Sequence, residues 1–381
     1  MALETNLSVH SSALSVNVQE ALKGASWDIP KTSLEGQYGQ FNSYNKDNSF
    51  TLSQSFAFPT VYMNQRKLAT ANIKSSEWQL KSTQLEIATQ VKQVYWQLAY
   101  LHSKHRLLIW QDSLYTGFLK AAELRLKTGA TNRLEMITAR SQRMELRNQL
   151  QQVNADLAIN NQKLQVLLNT DDVIMTVDTI LLRADFKPTD IERISAGNPS
   201  VGYAQQQVEV SHVESTLEKS RMLPDLSIGY FSQTMQGVQE VNGIPHTYGT
   251  GERFSGIQAG ISIPLWFKPY TSKIKAAKLK EQVAQTNAEL YTKSLKGNYR
   301  SLLGEYVKYN NSLDYYEKQA IPEADLIIEQ ATLSYKSGAM DYLDYVQSLT
   351  RGLSIKQNYL DALNNYNQII ISIDLITGKS N

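Results

Sequence analysis

His102 and His105 stand three residues apart in a run with helical character, so both imidazoles fall on one face and could meet a metal ion together. Two imidazoles without a third ligand do not make a site, and the pair reads as surface- or lumen-facing. Scattered methionines add soft donors without forming a cluster, and His10, His212 and His246 are isolated. There is no cysteine, hence no disulfide, thiolate metal site or cysteine nucleophile. The chain has no Gly-rich phosphate loop and no Ser/His/Asp set in a nucleophile-elbow context. Its many Asp and Glu residues lack a paired-carboxylate setting. No catalytic, cofactor-binding or metal-binding residue is assigned, and an enzyme is the poorest reading.

Composition narrows the class further. The 381 residues are 19% charged with a formal net charge of +2, and Lys and Arg are scattered rather than gathered on a face. Nucleic-acid binding therefore has little support. No apolar run approaches the roughly 20 residues of a membrane-spanning helix, which excludes a helical membrane protein.

The elements are organised as a duplication. From Pro30 the chain gives two alternating segments, then Phe58-Pro59 and a very long polar helix; from Pro224 it gives two alternating segments, then Ile263-Pro264 and another. The first repeat is expected over 1–195: a helix, a β-hairpin at 31–58, a long helix at 60–128, a helix at 131–168 and a segment at 169–195. The second covers 196–381: a helix, a hairpin at 225–263, a long helix at 265–337 and a helix at 340–377. The two repeats are expected to form one structural unit. The second copy begins with extra sequence, Phe186 to Gly197, before Asn198-Pro199-Ser200-Val201, whereas Asn6-Leu7-Ser8-Val9 stands almost at the start. The expectation is a chain that begins inside a helix of a longer protein, with any export signal or lipid-anchor cysteine upstream.

Between Thr60 and Thr128 there is no proline and a single glycine, Gly117, so one helix of roughly 100 Å is allowed at 1.5 Å per residue. Leu146, Leu150, Val153, Leu157, Leu164 and Leu167 then repeat at coiled-coil spacing, as do Leu349, Leu353, Leu360, Leu363 and Ile370. Each helix pair meets at a glycine, Gly129 in Leu126-Lys127-Thr128-Gly129-Ala130 and Gly338 in Tyr335-Lys336-Ser337-Gly338-Ala339, which suits a left-handed helix end. Pro59 and Pro264 are 205 residues apart and Gly129 and Gly338 209, so the copies drift within the long helices, where Pro322 predicts a kink or break.

In Phe50-Thr51-Leu52-Ser53-Gln54-Ser55-Phe56-Ala57-Phe58 apolar residues alternate with small polar ones, and Leu34 to Tyr38 is a weaker version. Leu226, Ile228 and Tyr230 share a face, as do Ile257, Ala259, Ile261 and Ile263. Ser43 to Asn48 is turn chemistry, and Thr234 to Phe254 reads as a Gly-rich exposed loop. Four such strands have the length and dyad pattern of transmembrane β-strands. Open edges would leave backbone groups unsatisfied in lipid, so the sheet must close, and four strands are too few. The barrel must be shared among chains. Trp27, Tyr62, Trp266 and Phe267 cluster outside the strand ends, as an interfacial aromatic belt would.

The segments Ser53 to Tyr62 and Ile261 to Trp266, the paired Gly129 and Gly338 turns, and Ala320-Ile321-Pro322-Glu323-Ala324 resemble TolC-like outer membrane efflux proteins. The resemblance is greatest to their heavy-metal (CusC/CzcC-type) branch, including versions fused behind a resistance-nodulation-division pump subunit. It covers all but the first helix of the family pattern. It implies an α+β membrane protein and a homotrimer, with a 12-stranded β-barrel in the outer membrane of a Gram-negative envelope, continued by a periplasmic barrel of coiled-coil α-helices. Residues 169–197 and the C-terminal end would pack around its middle. The implied role is a passive exit duct for heavy-metal cations, joined by a periplasmic adaptor to an inner-membrane resistance-nodulation-division pump.

The resemblance also implies a periplasmic gate at the helix tips. Matching by distance from the turn glycines places Glu135, Tyr335 and Asp344 there, with Tyr335 set to donate a hydrogen bond toward Glu135 and Asp344 set to form an acidic ring in a trimer. Gln347 stands where the family's best-known member carries a second aspartate, which puts a double ring in doubt. Pro30, Pro59, Pro224 and Pro264 mark the strand–helix junctions. Two alternatives stay open: a drug-efflux or type I secretion duct of the same fold, and a soluble coiled-coil scaffold in which the hairpins are minor.

Overall fold

The computed structural model describes residues 2–172, 174, 180–188 and 197–379. After a short helical turn at Ala2–Thr5, the first copy comprises α1 (Leu7–Lys23), β1 (Ser33–Gly39), β2 (Asp47–Phe56), α2 (Pro59–Lys127) and α3 (Arg133–Leu168). The second comprises α4 (Pro199–Ser220), β3 (Asp225–Gln233), a small hairpin of β4 (Gly237–Val241) and β5 (Ile244–Tyr248), β6 (Phe254–Ser262), α5 (Phe267–Tyr315), a π turn at Tyr316–Ala320, α6 (Ile321–Lys336) and α7 (Tyr342–Thr377). Of the expected segment 169–195, residues 173, 175–179 and 189–195 lie outside the described residues.

The chain divides into two compact units that do not follow the repeats. One contains Met1–Ser12, Leu80–Gly202 and Tyr291–Asn381; the other contains Ala13–Gln79 and Tyr203–Leu290. Each draws on both copies.

In the strand-bearing unit the two hairpins join into one antiparallel sheet of order β1-β2-β3-β6. β2 meets β3 with Phe56 opposite Leu226 and Leu52 opposite Tyr230, so the apolar residues of both copies stand on one side. The connection expected as a loop at Thr234–Phe254 instead contains the β4–β5 hairpin. Its turn is Asn242-Gly243, both at positive φ (56° and 79°), the Asn-Gly pairing that a two-residue hairpin turn prefers. Asp47 is fully buried and accepts hydrogen bonds from Ser43 Oγ (2.7 Å), Thr234 Oγ1 (3.0 Å) and the Gln236 N–H (2.9 Å), tying the two interstrand connections together.

In the helical unit the predicted seam residues Leu146, Val153, Leu164, Leu349, Leu353, Leu363 and Ile370 are buried, whereas Leu150, Leu157, Leu167 and Leu360 are half-buried. α6 and α7 approach closely at Gly352, where a Cβ would lie 2.6 Å from the Ile328 side chain. Residues 180–188 lie along this core. The Ala184 N–H donates to Asn367 Oδ1 (3.0 Å), Asn367 Nδ2 donates to the Leu182 carbonyl (2.7 Å), and Arg183 reaches Asn310, Asp314 and Glu317.

The drift between copies has two sources. Pro59 is the first residue of α2, a position that needs no N–H, whereas α5 begins three residues after Pro264, at Phe267 rather than the expected 265. The π turn, whose bonds span five residues rather than four, absorbs one more. It directly precedes Pro322, which cannot donate to the carbonyl four residues back. The predicted kink or break is thus a π turn in a helix that continues.

Candidate functional site

Two features of the fold have the makings of function, one in each unit. In the strand-bearing unit the cross-strand register puts Leu34, Phe50, Leu52, Leu226, Ile228, Tyr230, Ile257 and Ile261 on one face. All are exposed, Leu34 by 72% and Ile257 by 79%. Covering what is bare would release on the order of 10 kcal/mol, at about 1.5–3 kcal/mol per fully buried side chain. That rivals the whole stability of an ordinary domain. The opposite face carries Ser49, Thr51, Ser53, Ser55, Ser227, Gln258 and Ser262, with Phe231 and Phe254 toward one end. β1 and β6 each have one unpaired edge.

The junction residues flank this sheet. Trp27 is 57% exposed at the end of a 3-10 turn (Gly24–Trp27) and stacks on Tyr62, with centroids 5.5 Å apart. Tyr62 itself is only 5% exposed, and its hydroxyl accepts the Ala57 N–H at 3.0 Å. It is therefore a packing residue and not an outward belt residue. Trp266 and Phe267 are exposed. Among the described residues no helix is long and apolar enough to cross a membrane.

In the helical unit the two helix–helix turns are built alike. Gly129 and Gly338 have φ of 72° and 76°. The Ala130 N–H donates to the Arg125 carbonyl and the Ala339 N–H to the Ser334 carbonyl, closing the same six-residue cap in each copy. Asn132 and Asp341 cap the following helices by accepting from the N–H groups of Glu135 and Asp344 respectively.

These caps place Glu135 in the first turn of α3, where it is 1% exposed. A buried carboxylate needs compensation, and three groups supply it. Tyr335 and Thr131 both donate short hydrogen bonds to it, and Arg125 Nη1 lies 3.5 Å away. Tyr335, at the end of α6, is held by stacking on Tyr345 (4.5 Å) and an edge contact with Phe118 (5.3 Å). Arg125 sits over its ring at 5.4 Å. Burial, then the Glu135 carboxylate, push the Tyr335 phenol well above its ordinary pKa, against the opposing pull of Arg125. The hydroxyl therefore stays a donor. Asp344 and Gln347 are exposed, and neither side chain joins this cluster.

A second duplicated device went unread in the sequence. Asn6 caps α1 by accepting from the N–H groups of Ser8 and Val9, while its amide donates to the Leu167 carbonyl at the end of α3 (2.9 Å). Asn198 repeats this, accepting from Ser200 and Val201 and donating to the carbonyls of Leu375 and Ile376 at the end of α7 (3.1 and 2.9 Å). The aligned Asn-x-Ser-Val segments were the available signal. His102 and His105 gather no third ligand, and among the described residues no group of three or more His, Asp or Glu side chains is placed to hold a metal.

A sheet with an exposed apolar face and paired long helices with capped tips are shared with solved outer membrane channels. The outer membrane efflux protein family model matches residues 1–170. The probable outer membrane lipoprotein SilC of Salmonella typhimurium is 22% identical over 343 residues, 87% of this chain and 71% of that protein. The crystal structure of CusC superposes with a TM-score of 0.80 at 16% identity, covering 99% of this chain and 90% of that one. The Campylobacter jejuni CmeC outer membrane channel gives 0.79 at 16% identity, covering 100% and 84%. Residues 1–170 thus match the outer membrane efflux protein family, and the chain as a whole shares the fold of solved outer membrane channels.

Proposed function

We propose that the chain is one third of a homotrimeric exit duct, through which a tripartite pump passes heavy-metal cations from the periplasm to the exterior. The observation that carries this is the four-stranded sheet with a bare apolar face and two open edges. In lipid each unpaired edge group costs several kcal/mol, so edges must find partners. β6 of one chain meeting β1 of the next, three times over, closes a 12-stranded barrel and satisfies both edges at once. The small and polar opposite face then lines the lumen, and the apolar face meets acyl chains.

A passive duct does no work of its own, so the driving force comes from elsewhere. An inner-membrane resistance-nodulation-division pump would supply it, through a periplasmic adaptor. In this reading the Glu135–Tyr335 contact latches the two helix–helix tips of one chain, and Asp344 from three chains forms an exposed acidic ring that favours cations. The cargo assignment rests on kinship with SilC and CusC and on the resemblance to the heavy-metal branch.

The test is whether the protein partitions into membranes, resists extraction without detergent and runs as a trimer that dissociates on heating. A protein that stays monomeric in the aqueous fraction would sink the duct and restore the scaffold reading. Export of copper, silver, zinc, cobalt or cadmium ions by cells carrying the intact pump, measured against dye and drug substrates, decides the cargo.

A further inference from the structure

A cavity of about 600 Å³ lies within the strand-bearing unit, beside the Pro59 junction. Its walls are Trp27, one face of α2 and one face of α4. The α2 residues are Met63, Arg66, Lys67, Thr70, Ala71 and Lys74, which fall within about 140° of arc at 100° per residue. α4 contributes Gln206, Glu209 and Val213 and is fixed to α2 by Gln206 Nε2 donating to the Ala71 carbonyl at 3.1 Å. Gln207 Nε2 also donates to Ser75 Oγ at 2.6 Å.

The lining is amphipathic and its charge is unspent. Among the described residues, none of Arg66, Lys67 and Lys74 stands within 4.0 Å of a carboxylate. With Glu209 included, the cavity carries two net positive charges. Exposed Trp27 and Met63 stand in the same wall. A water-filled duct wall has no reason to offer tryptophan and methionine beside three lysine or arginine side chains, and a membrane interface does. Met63 to Lys74 begin four residues after Pro59, about 6 Å along the helix, and end roughly 22 Å along it. That interval spans the headgroup zone if the strands occupy the hydrocarbon.

We infer that this cavity binds an anionic phospholipid, its phosphate held by Arg66, Lys67 and Lys74, and its acyl chain laid over Trp27 and Met63. The inference rests on the membrane reading of the sheet. All lining residues belong to one chain, so each protomer carries a complete site. Glu209 sets an upper limit on headgroup charge and favours a monoanionic diester over a dianionic phosphate.

The experiment uses the purified detergent-extracted protein, reconstituted into vesicles whose phosphatidylglycerol or phosphatidylcholine carries brominated acyl chains. Quenching of Trp27 is taken as the difference between the unaltered protein and Trp27→Phe. Two net charges at about fivefold each give roughly 25-fold preference for the anionic lipid at Trp27. Arg66→Gln/Lys67→Gln/Lys74→Gln leaves Glu209 as the one charge of the cavity and should turn that preference into about fivefold disfavour of the anionic lipid, while Glu209→Gln should raise it about fivefold. Equal quenching of Trp27 by both lipids overturns the site while leaving the membrane reading intact, because Trp266 would still be quenched. If neither lipid quenches any tryptophan, both fall. Loss of the preference on adding inorganic phosphate would make the cavity a general anion site and also overturn the lipid assignment. The gain in Glu209→Gln keeps the test decisive even if the triple variant fails to assemble.

Discussion

Tyr335→Phe is the most discriminating perturbation of the tip cluster, because it removes one oxygen and nothing else. The ring keeps its stacking on Tyr345 and its edge contact with Phe118. What is lost is a buried hydrogen bond to an ionised carboxylate, worth about 1.5–3 kcal/mol. Glu135 would keep Thr131 and the half-exposed Arg125, so the larger cost of an orphaned buried charge does not apply. If the bond holds the two tips of a chain together, the closed population should fall about 10- to 150-fold relative to the open one. Single-channel recording in planar bilayers reads this as open probability, and a double-mutant cycle with Glu135→Gln isolates the bond. The pH response has a definite sign. A phenol whose pKa is raised on folding contributes fully below its ordinary value near 10, and that contribution is lost as the pH climbs through the folded value. An open probability unchanged in Tyr335→Phe, with a coupling energy below about 0.5 kcal/mol, would refute the latch.

Other outcomes follow from neighbouring parts of the structure. Asp344→Ala should leave thermal stability within about 0.5 kcal/mol, since the side chain is exposed, yet lower cation selectivity in planar bilayers; an unchanged channel removes Asp344 from the gate. Asn198→Ala loses a helix cap and two bonds to α7 carbonyls, so a cost of about 1–3 kcal/mol is expected in denaturant unfolding. Arg183→Met should release residues 180–188 to limited proteolysis. Its stability cost should be about 1–2 kcal/mol, reduced from the buried-pair range because Arg183, Asp314 and Glu317 are all partly exposed. His102 is held below its ordinary pKa by burial and by Arg106 and His105. Its NMR titration should therefore be centred below 6.5, with stability lost as the pH falls from 6.5 toward the folded value; a midpoint above 6.5 contradicts this.

Much of the fold was readable because its signals are local. A proline before a long run of helix formers sets a helix start, a glycine between two helical patterns sets a left-handed cap, and a period of two sets a strand. Other features were local and overlooked. Val241-Asn242-Gly243-Ile244 is a hairpin signal inside what was read as a loop. The drift of four residues between copies was visible in the numbering, but its division into three at the Pro264 junction and one in the π turn needed coordinates.

The sequence by itself determined the duplication, the helix ends and which residues share a strand face, because these depend on backbone geometry within a few bonds. It also carried the family resemblance that matched Tyr335 to Glu135. Tertiary structure alone decided which chemistry those residues can do. Only packing makes Glu135 a buried carboxylate with three partners, while Asp344 stays in solvent at the equivalent turn. Packing likewise turned Tyr62 inward beneath Trp27 and put three cations against one carboxylate around a cavity beside it. Burial and partner count are sums over residues distant in the chain, and they set the free energies of charges and hydrogen bonds. No periodicity along one strand of sequence records such a sum.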